Sequence, residues 1–279
     1  MADPNGRAGK QAGELGLRAA SGIVLAALAL GTAWLGGPVF AALWLAAGIA
    51  IAFEWLSITR AQPRAILGAL CAAGLAGLVV AYKLDTGWWG EIALLGLVLG
   101  AIALLAETPR DRAWATAGFL CAAVVAAIPT MLRDDPDFGT LAVLWMFGVV
   151  WTTDVATYFT GRALGGPKLA PTISPKKTWS GFLGGVGGAT LVGTLVVQFG
   201  RGGGTGFPGG VFGIVLASAF ASVASQVGDL AESGLKRRFG AKDSGQLIPG
   251  HGGVMDRLDG FAAVALLCGV ALAGSRLAR

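Results

Sequence analysis

The chain has 279 residues, of which 54% are hydrophobic and only 13% are charged, and it contains 46 glycines. Soluble domains carry about 25% charged residues, because their surfaces must be polar. The composition therefore excludes a soluble globular domain, a disordered chain and a disulfide scaffold, and it indicates a polytopic membrane protein. The net charge of +5 is interpreted first as a topology signal, and no nucleic acid is expected as a partner.

Long runs without charge, taken in chain order, predict the membrane spans. About 20 apolar residues in a helix cross a hydrocarbon core of roughly 30 Å. The charge-free runs are 19–53, 65–82, 92–106, 113–132, 138–153, 178–200, 202–228 and 260–275. The first run is broken at residues 36–38 by Gly-Gly-Pro, which brings the number of spans to nine. Because β-barrel strands would alternate polar and apolar residues, we predict an all-α fold of about nine transmembrane helices, the first retained rather than cleaved.

Lysine and arginine are concentrated on one side of these spans. With nine spans and a cytoplasmic N-terminus, 16 of the 21 lysines and arginines fall in cytoplasmic segments. This asymmetry predicts a multi-pass protein of the inner cell membrane with a cytoplasmic N-terminus. We divide the chain into a cytoplasmic tail (1–17), an N-terminal transmembrane bundle (18–150) and a C-terminal region (151–279). The glycine-rich segment 201–210 falls on the outer side, where it is predicted to be a linker.

Two long cytoplasmic loops, 160–181 and 229–260, differ from the short turns between the other spans. Loops held by a rigid scaffold commonly carry function. In the first loop, hydroxyl groups flank two ammonium groups, which suits a phosphate chain; a membrane-surface anchor is the alternative. The residues concerned are Ser174, Pro175, Lys176, Lys177 and Thr178. Asp154, near the end of the preceding span, either faces a cavity, a cation or a metal, or reaches water from the helix end.

The second loop brings carboxylates and cations together. Asp229 is predicted to end the eighth span, and Asp256 and Asp259 to open the ninth, so that three carboxylates converge at the membrane boundary. Carboxylate oxygens suit Mg²⁺, which takes one or two carboxylates together with substrate phosphates. The basic residues between them are Lys236, Arg237, Arg238 and Lys242. This pattern favours phosphoryl or nucleotidyl transfer, which requires positioning and charge neutralisation.

A histidine among glycines lies in the same loop. Gly252 and Gly253 allow the backbone to approach a ligand closely. His251 is the single histidine of the chain, and its role, structural or chemical, is left open. Because no second His or Cys stands at a zinc-binding spacing and no G-x-S-x-G motif occurs, a zinc site and a serine hydrolase are both disfavoured.

The second loop closely resembles the signature of the phosphatidate cytidylyltransferases (CDP-diacylglycerol synthases). The residues that carry it are Ser233, Lys236-Arg237, Lys242-Asp243, Pro249-Gly250-His251-Gly252-Gly253 and Asp256-Arg257-Leu258-Asp259. Asp154, Tyr158 and residues 161–162, 168–171 and 173–179 resemble a second block of that family. The sequence departs from it at Ser180, where bacterial members usually carry glutamate, and at Thr157, where alanine is common.

The resemblance implies an enzyme that condenses CTP with phosphatidic acid, forming CDP-diacylglycerol and releasing pyrophosphate. It implies Mg²⁺ held by Asp229, Asp256 and Asp259, with a monovalent cation such as K⁺ as a further expectation. The implied catalytic residues are Asp229, Asp256, Lys236, Arg237, Lys242 and Arg257. The implied substrate-binding residues are Ser174, Lys176, Lys177, Thr178, Ser233, His251, Gly252 and Gly253. The active site is expected at the cytoplasmic face, beside membrane lipids.

Three points stay open at the level of sequence. A related CTP-dependent transferase could act on another lipid acceptor, such as an ether lipid or a polyprenol. An ion-coupled transporter is the alternative from another class, but the chain lacks the repeated halves typical of such proteins. The glycine-rich helix faces allow a homodimer without requiring one.

Overall fold

The computed structural model describes residues 4–200 and 209–277, and this part of the chain contains nine long α-helices. All nine are long and apolar enough to cross a membrane, which confirms the predicted all-α, multi-pass architecture. The helices are Pro4–Leu35 (α1), Gly37–Thr59 (α2), Arg64–Lys83 (α3), Gly87–Leu105 (α4), Pro109–Arg133 (α5), Gly139–Leu164 (α6), Trp179–Gly200 (α7), Gly210–Arg238 (α8) and Met255–Leu277 (α9). Most of the predicted linker, residues 201–208, and the side chains of residues 4–15 lie outside the described part.

A short β-hairpin lies between α6 and α7, where the sequence predicted an irregular loop over 160–181. Strands Lys168–Ala170 (β1) and Ser174–Thr178 (β2) pair antiparallel. Helix α6 ends at Leu164 and is followed by Gly165 and Gly166, whose φ angles of +61° and +98° favour glycine. The connection between α6 and α7 is therefore shorter than predicted. The predicted range 160–181 includes the last turn of α6 and the first turn of α7.

Helix α8 is longer than predicted. The sequence placed Asp229 at the end of the eighth span and at the start of the loop 229–260, but the helix continues to Arg238, so the segment without helix begins later than predicted. Three basic residues occupy the last turn of α8, where positive charge is favoured by the helix dipole. The connection to α9 is accordingly reduced to residues 239–254. Asp229 and Lys236 therefore lie on a rigid helix rather than in a flexible loop.

Close helix packing depends on small residues. A Cβ atom at Gly188 on α7 would lie 2.9 Å from Ala156 Cβ on α6, and one at Gly48 on α2 would lie 2.9 Å from Ala126 Cβ on α5. These pairs of helices approach closely because no side chain separates them. Gly96 and Gly100 on α4, by contrast, have open space around them.

Contacts near the ends of the helices define two ends of the bundle. At one end, Arg238 on α8 lies over the Trp114 ring of α5, and Arg110 lies over the Phe239 ring. At the other end, Arg133 on α5 donates to the carbonyl oxygens of Ala33 and Trp34 on α1. The hairpin and the 239–254 connection both belong to the first end, together with the C-terminal end of α2. This end holds the predicted site.

Candidate active site

The hairpin is joined to α8 by an ion pair. Lys177 Nζ on β2 lies 2.5 Å from Asp229 Oδ2, and the lysine side chain is only 16% exposed. The hydroxyl of Ser233, one turn further along α8, donates to Asp229 Oδ1 at 3.4 Å. Lys176, the preceding residue on the strand, is exposed. The structure thus brings Lys177, Asp229 and Ser233 together and leaves Lys176 exposed.

A second lysine bridges α8 and α9. Lys236 Nζ lies 2.6 Å from Asp256 Oδ1 and 3.2 Å from Glu232 Oε2. All three side chains are largely buried, with exposed fractions of 14%, 7% and 6%. Glu232 was not among the predicted site residues. Glu232 stands three residues after Asp229 and four before Lys236, a spacing that places all three on one face of a helix. The sequence could have indicated Glu232 only if this segment had been predicted to be helical.

Both oxygens of Asp256 are occupied. Oδ1 accepts from Lys236, and Oδ2 accepts from the backbone N–H groups of Ser244 at 2.8 Å and Gly253 at 2.9 Å. The Ser244 hydroxyl is also 2.8 Å from Oδ2. Asp256 therefore ties together the helix α8, the connection and the first turn of α9. Carboxylates that accept several hydrogen bonds are held in the ionised form at a fixed position.

Further carboxylates surround these pairs. Asp154 on α6 is close enough to interact electrostatically with Asp229 and Asp259, and also with Lys177 and Arg257. Asp259 lies beside Glu232 and accepts from the Gly260 N–H at 2.7 Å. Acidic side chains from three helices thus meet at one end of the bundle, as the sequence predicted for the members on α8 and α9.

The donor chemistry of this cluster fits a hard divalent cation. All of its acidic ligands offer oxygen atoms, which Mg²⁺ prefers. Glu232 Oε1 is buried and receives no hydrogen bond within the described part of the chain. In that same part, no three His, Cys, Asp or Glu side chains already form a metal-coordinating group. Lysines neutralise Asp229 and Asp256 instead, so the metal assignment of Asp229, Asp256 and Asp259 stays a prediction.

The remaining predicted cations are exposed at the end of the bundle that holds the cluster. Arg237, Lys242 and Arg257 all face outward from the α8–α9 connection or the helices beside it. Arg257 Nε also donates to the carbonyl oxygen of His251 at 3.1 Å. Arg257 interacts electrostatically with Asp154, and exposed positive charge at this end of the bundle suits a ligand that carries several phosphate groups.

His251 connects the loop to α1. Its Nδ1 lies 2.6 Å from the Ser21 hydroxyl oxygen. The pKa of His251 lies below its usual value, first because the ring is partly desolvated and then because Arg257 and Arg18 disfavour a further positive charge. The lowered pKa favours the neutral form of the ring. This contact gives His251 a positioning role between α1 and the loop, while its predicted contact with substrate stays a prediction.

The hydroxyl groups of the hairpin mainly close its base. Thr178 is buried, and its hydroxyl accepts from the Gly181 N–H at 3.2 Å. Ser180 donates to the carbonyl oxygen of Gly165 and lies 3.0 Å from the Thr178 hydroxyl. Ser180 thus fixes the hairpin to the end of α6. The other departure from the family pattern, Thr157, contacts Gln226 at 3.4 Å on the seam between α6 and α8.

Comparison with known proteins decides the family. The model of the cytidylyltransferase family matches residues 16–273. The chain belongs to this family. The match includes the N-terminal helices, which lie outside the two segments that carry the sequence resemblance. Family membership favours the enzyme over the ion-coupled transporter.

Three relatives with sequences similar to this chain are each named phosphatidate cytidylyltransferase. The chain is 43% identical over 251 residues to the phosphatidate cytidylyltransferase of Brucella suis, covering 90% of each chain. It is 34% identical over 225 residues to that of Staphylococcus saprophyticus, covering 78% of this chain and 84% of the relative. It is 35% identical over 186 residues to the phosphatidate cytidylyltransferase of Haemophilus influenzae, covering 67% of this chain and 60% of the relative.

Proposed function

We propose that this member of the cytidylyltransferase family is a CTP:phosphatidate cytidylyltransferase that forms CDP-diacylglycerol and pyrophosphate. One observation carries the proposal. Asp256, Lys236 and Lys177 belong to the segments that resemble the family, and they lie in or pair with one cluster of carboxylates at one end of a multi-pass bundle. A lipid substrate keeps its acyl chains in the bilayer while its phosphate meets a nucleotide from the aqueous phase at this end.

The chemistry requires little from a general base. A phosphatidate oxygen forms a bond to the α-phosphorus of CTP, and the bond from that phosphorus to the β-phosphate oxygen breaks, releasing pyrophosphate. A phosphate monoester is already largely ionised near pH 7, so the main barrier is repulsion between two anions. Lys177 and Lys236 would bind phosphate oxygens at the centre, and Arg237, Lys242 and Arg257 would bind those further out. The predicted contacts of Ser174, Lys176 and Ser233 belong to the same proposal.

The carboxylates would hold the metal. Asp229, Asp256 and Asp259 are the proposed Mg²⁺ ligands, and Glu232 adds a buried oxygen beside them. When bound, Mg²⁺ would neutralise phosphate charge and favour the departure of pyrophosphate. Lys177 and Lys236 would then turn from their carboxylate partners to phosphate oxygens. A monovalent cation such as K⁺ is proposed only as a further occupant of this acidic centre.

The membrane orientation follows from charge. We propose that the end carrying the site faces the cytoplasm across the inner membrane, because lysine and arginine are concentrated there. CTP is then available directly to the site. The homodimer stays a prediction, which the mass of the purified protein in detergent would test.

An acceptor comparison tests the function. Purified chain in detergent micelles is given labelled CTP and Mg²⁺ with phosphatidate, an ether-lipid phosphate or a polyprenyl phosphate. We expect a labelled lipid with phosphatidate, and none after chelation by EDTA. A product formed only from the ether-lipid or polyprenyl phosphate would move the chain to the related transferases. No product with any acceptor would refute the proposed activity.

A further inference from the structure

A buried glutamate from the N-terminal half of the chain reaches into the site. Glu54 lies on α2 and is only 5% exposed. Its Oε1 accepts from the Val254 N–H at 2.8 Å, and its Oε2 accepts from the Met255 N–H at 2.8 Å. The Ser244 hydroxyl is 2.9 Å from Oε2. Three donors of the α8–α9 connection and of α9 therefore converge on one side chain about 200 residues away in sequence.

These contacts make Glu54 the cap of α9. The first N–H groups of a helix have no partner within the helix, and a negative charge is favoured at that end. A cap normally comes from the residue just before the helix. Here the carboxylate of α2 supplies it from another part of the bundle. The position of α9 relative to α2 is thus fixed by hydrogen bonds as well as by apolar packing.

Ser244 links this cap to the proposed catalytic centre. Its hydroxyl oxygen lies 2.9 Å from Glu54 Oε2 and 2.8 Å from Asp256 Oδ2, and its backbone N–H donates to Asp256. A hydroxyl has one proton, so it donates to one carboxylate at a time. Asp256 in turn holds Lys236. A continuous chain of contacts therefore runs from α2 to the lysine at the centre.

The connection wraps tightly around this carboxylate. A Cβ atom at Gly253 would lie 2.5 Å from Glu54 Oε2, and one at Gly245 would lie 2.8 Å from Oε1. Both distances are too short for a side chain to be accommodated without displacement. The space at Gly253, which the sequence assigned to ligand approach, is taken by Glu54. This glycine is therefore explained by contact within the protein.

We propose that Glu54 is a positioning residue of the nucleotidyl transfer. It holds the connection 239–254 and the first turn of α9 so that Asp256 faces Lys236, and it acts through these residues without touching substrate. This inference rests on the proposed function. It assigns to the N-terminal half of the chain a direct part in organising the site.

Glu54→Gln is the decisive variant. Glutamine keeps the size, but its NH₂ group must face one of the two backbone N–H donors, so one side of the cap is lost. Loss of an outer-shell partner typically costs about 10–100-fold in metal affinity or activity. We expect a decrease of that order in kcat/KM, with a higher Mg²⁺ concentration for half activation. Asp111→Asn is the matched control, because Asp111 is also buried and is bonded to Thr108 at the start of α5.

Hydrogen exchange separates positioning from general stabilisation. In Glu54→Gln, amide exchange should rise within residues 244–256 and stay unchanged in α3 to α6. In the double variant with Ser244→Ala, the loss of activity should be smaller than the sum of the losses in the two single variants. Activity of Glu54→Gln within about twofold of the wild type would overturn the proposal, because the loss of such a partner is expected to cost about 10–100-fold. So would faster exchange throughout the bundle, or full additivity with Ser244→Ala. An inactive wild-type chain would refute the proposed function instead, and the local exchange would still decide whether Glu54 holds the loop.

Discussion

Asp256→Asn tests whether the hydrogen-bonded carboxylate at the start of α9 organises the site. Asparagine has one acceptor oxygen in place of two. If that oxygen takes the position of Oδ2, it keeps the backbone donors of Ser244 and Gly253, and its NH₂ group then faces the Lys236 ammonium. The bond lost is the one of 2.6 Å between Lys236 and Oδ1. A hydrogen bond to a charged group contributes about 1.5–3 kcal/mol.

We therefore expect Asp256→Asn to lower the free energy of unfolding by about 1.5–3 kcal/mol and to abolish product formation. Unfolding is measured by denaturant titration in mixed micelles, and activity by the labelled-CTP assay with phosphatidate. Asp243→Asn is the control, because the same change is then made at an exposed position of the same connection. Wild-type stability together with more than half of the wild-type activity in Asp256→Asn would refute this account of the carboxylate.

Two further predictions concern the contacts that hold the hairpin and the loop. Lys177→Met removes the 2.5 Å pair with Asp229 and should reduce both CTP turnover and thermal stability more than Lys176→Met does; an equal effect of the two changes would contradict the placement of Lys177. The pKa of His251 is lowered in the folded state, whereas its value in the unfolded chain is about 6.5. Just below pH 6.5 the unfolded chain therefore binds more protons than the folded one, and the free energy of unfolding should rise as the pH increases through that region. Nuclear magnetic resonance titration should give a His251 midpoint below 6.5. In Ser21→Ala the midpoint should lie closer to 6.5, because a hydroxyl that donates to the ring favours its neutral form. A wild-type midpoint above 6.5 would contradict the proposed effect of desolvation and of the neighbouring arginines on this pKa.

The number and type of the helices could be predicted because the bilayer imposes a simple requirement. Runs of about 20 residues without charge are needed for each span, and they are visible directly in this sequence. The ends of the helices could not be predicted in the same way. Helix α8 continues past Asp229 to Arg238 because its polar residues are paired along one face, as Glu232 and Lys236 are. A charge therefore marks the end of an apolar run without marking the end of the helix.

The candidate site was predictable to the extent that its residues are near one another in sequence. Asp229, Lys236 and Asp256 fall in one segment, and the structure joins the last two directly. The pairing of Lys177 with Asp229 required two segments to be brought together by the hairpin, and the sequence predicted only that both face the same side of the membrane. Glu54 gave no comparable signal, because a single acid near the end of a span is also what an ordinary membrane boundary shows.

The contact between Glu54 and the start of α9 also explains why the site depends on α2. Lys236 and Asp256 lie on α8 and α9, but these two helices alone would leave the Val254 and Met255 N–H groups without the carboxylate that accepts them. Buried donors without partners are costly, so this end of α9 would open or shift. Movement there would carry Asp256 away from Lys236 and separate the charges on which phosphate binding is proposed to depend. Helix α2 therefore contributes to the proposed chemistry by holding in place two charges, on Lys236 and Asp256, that it does not itself carry.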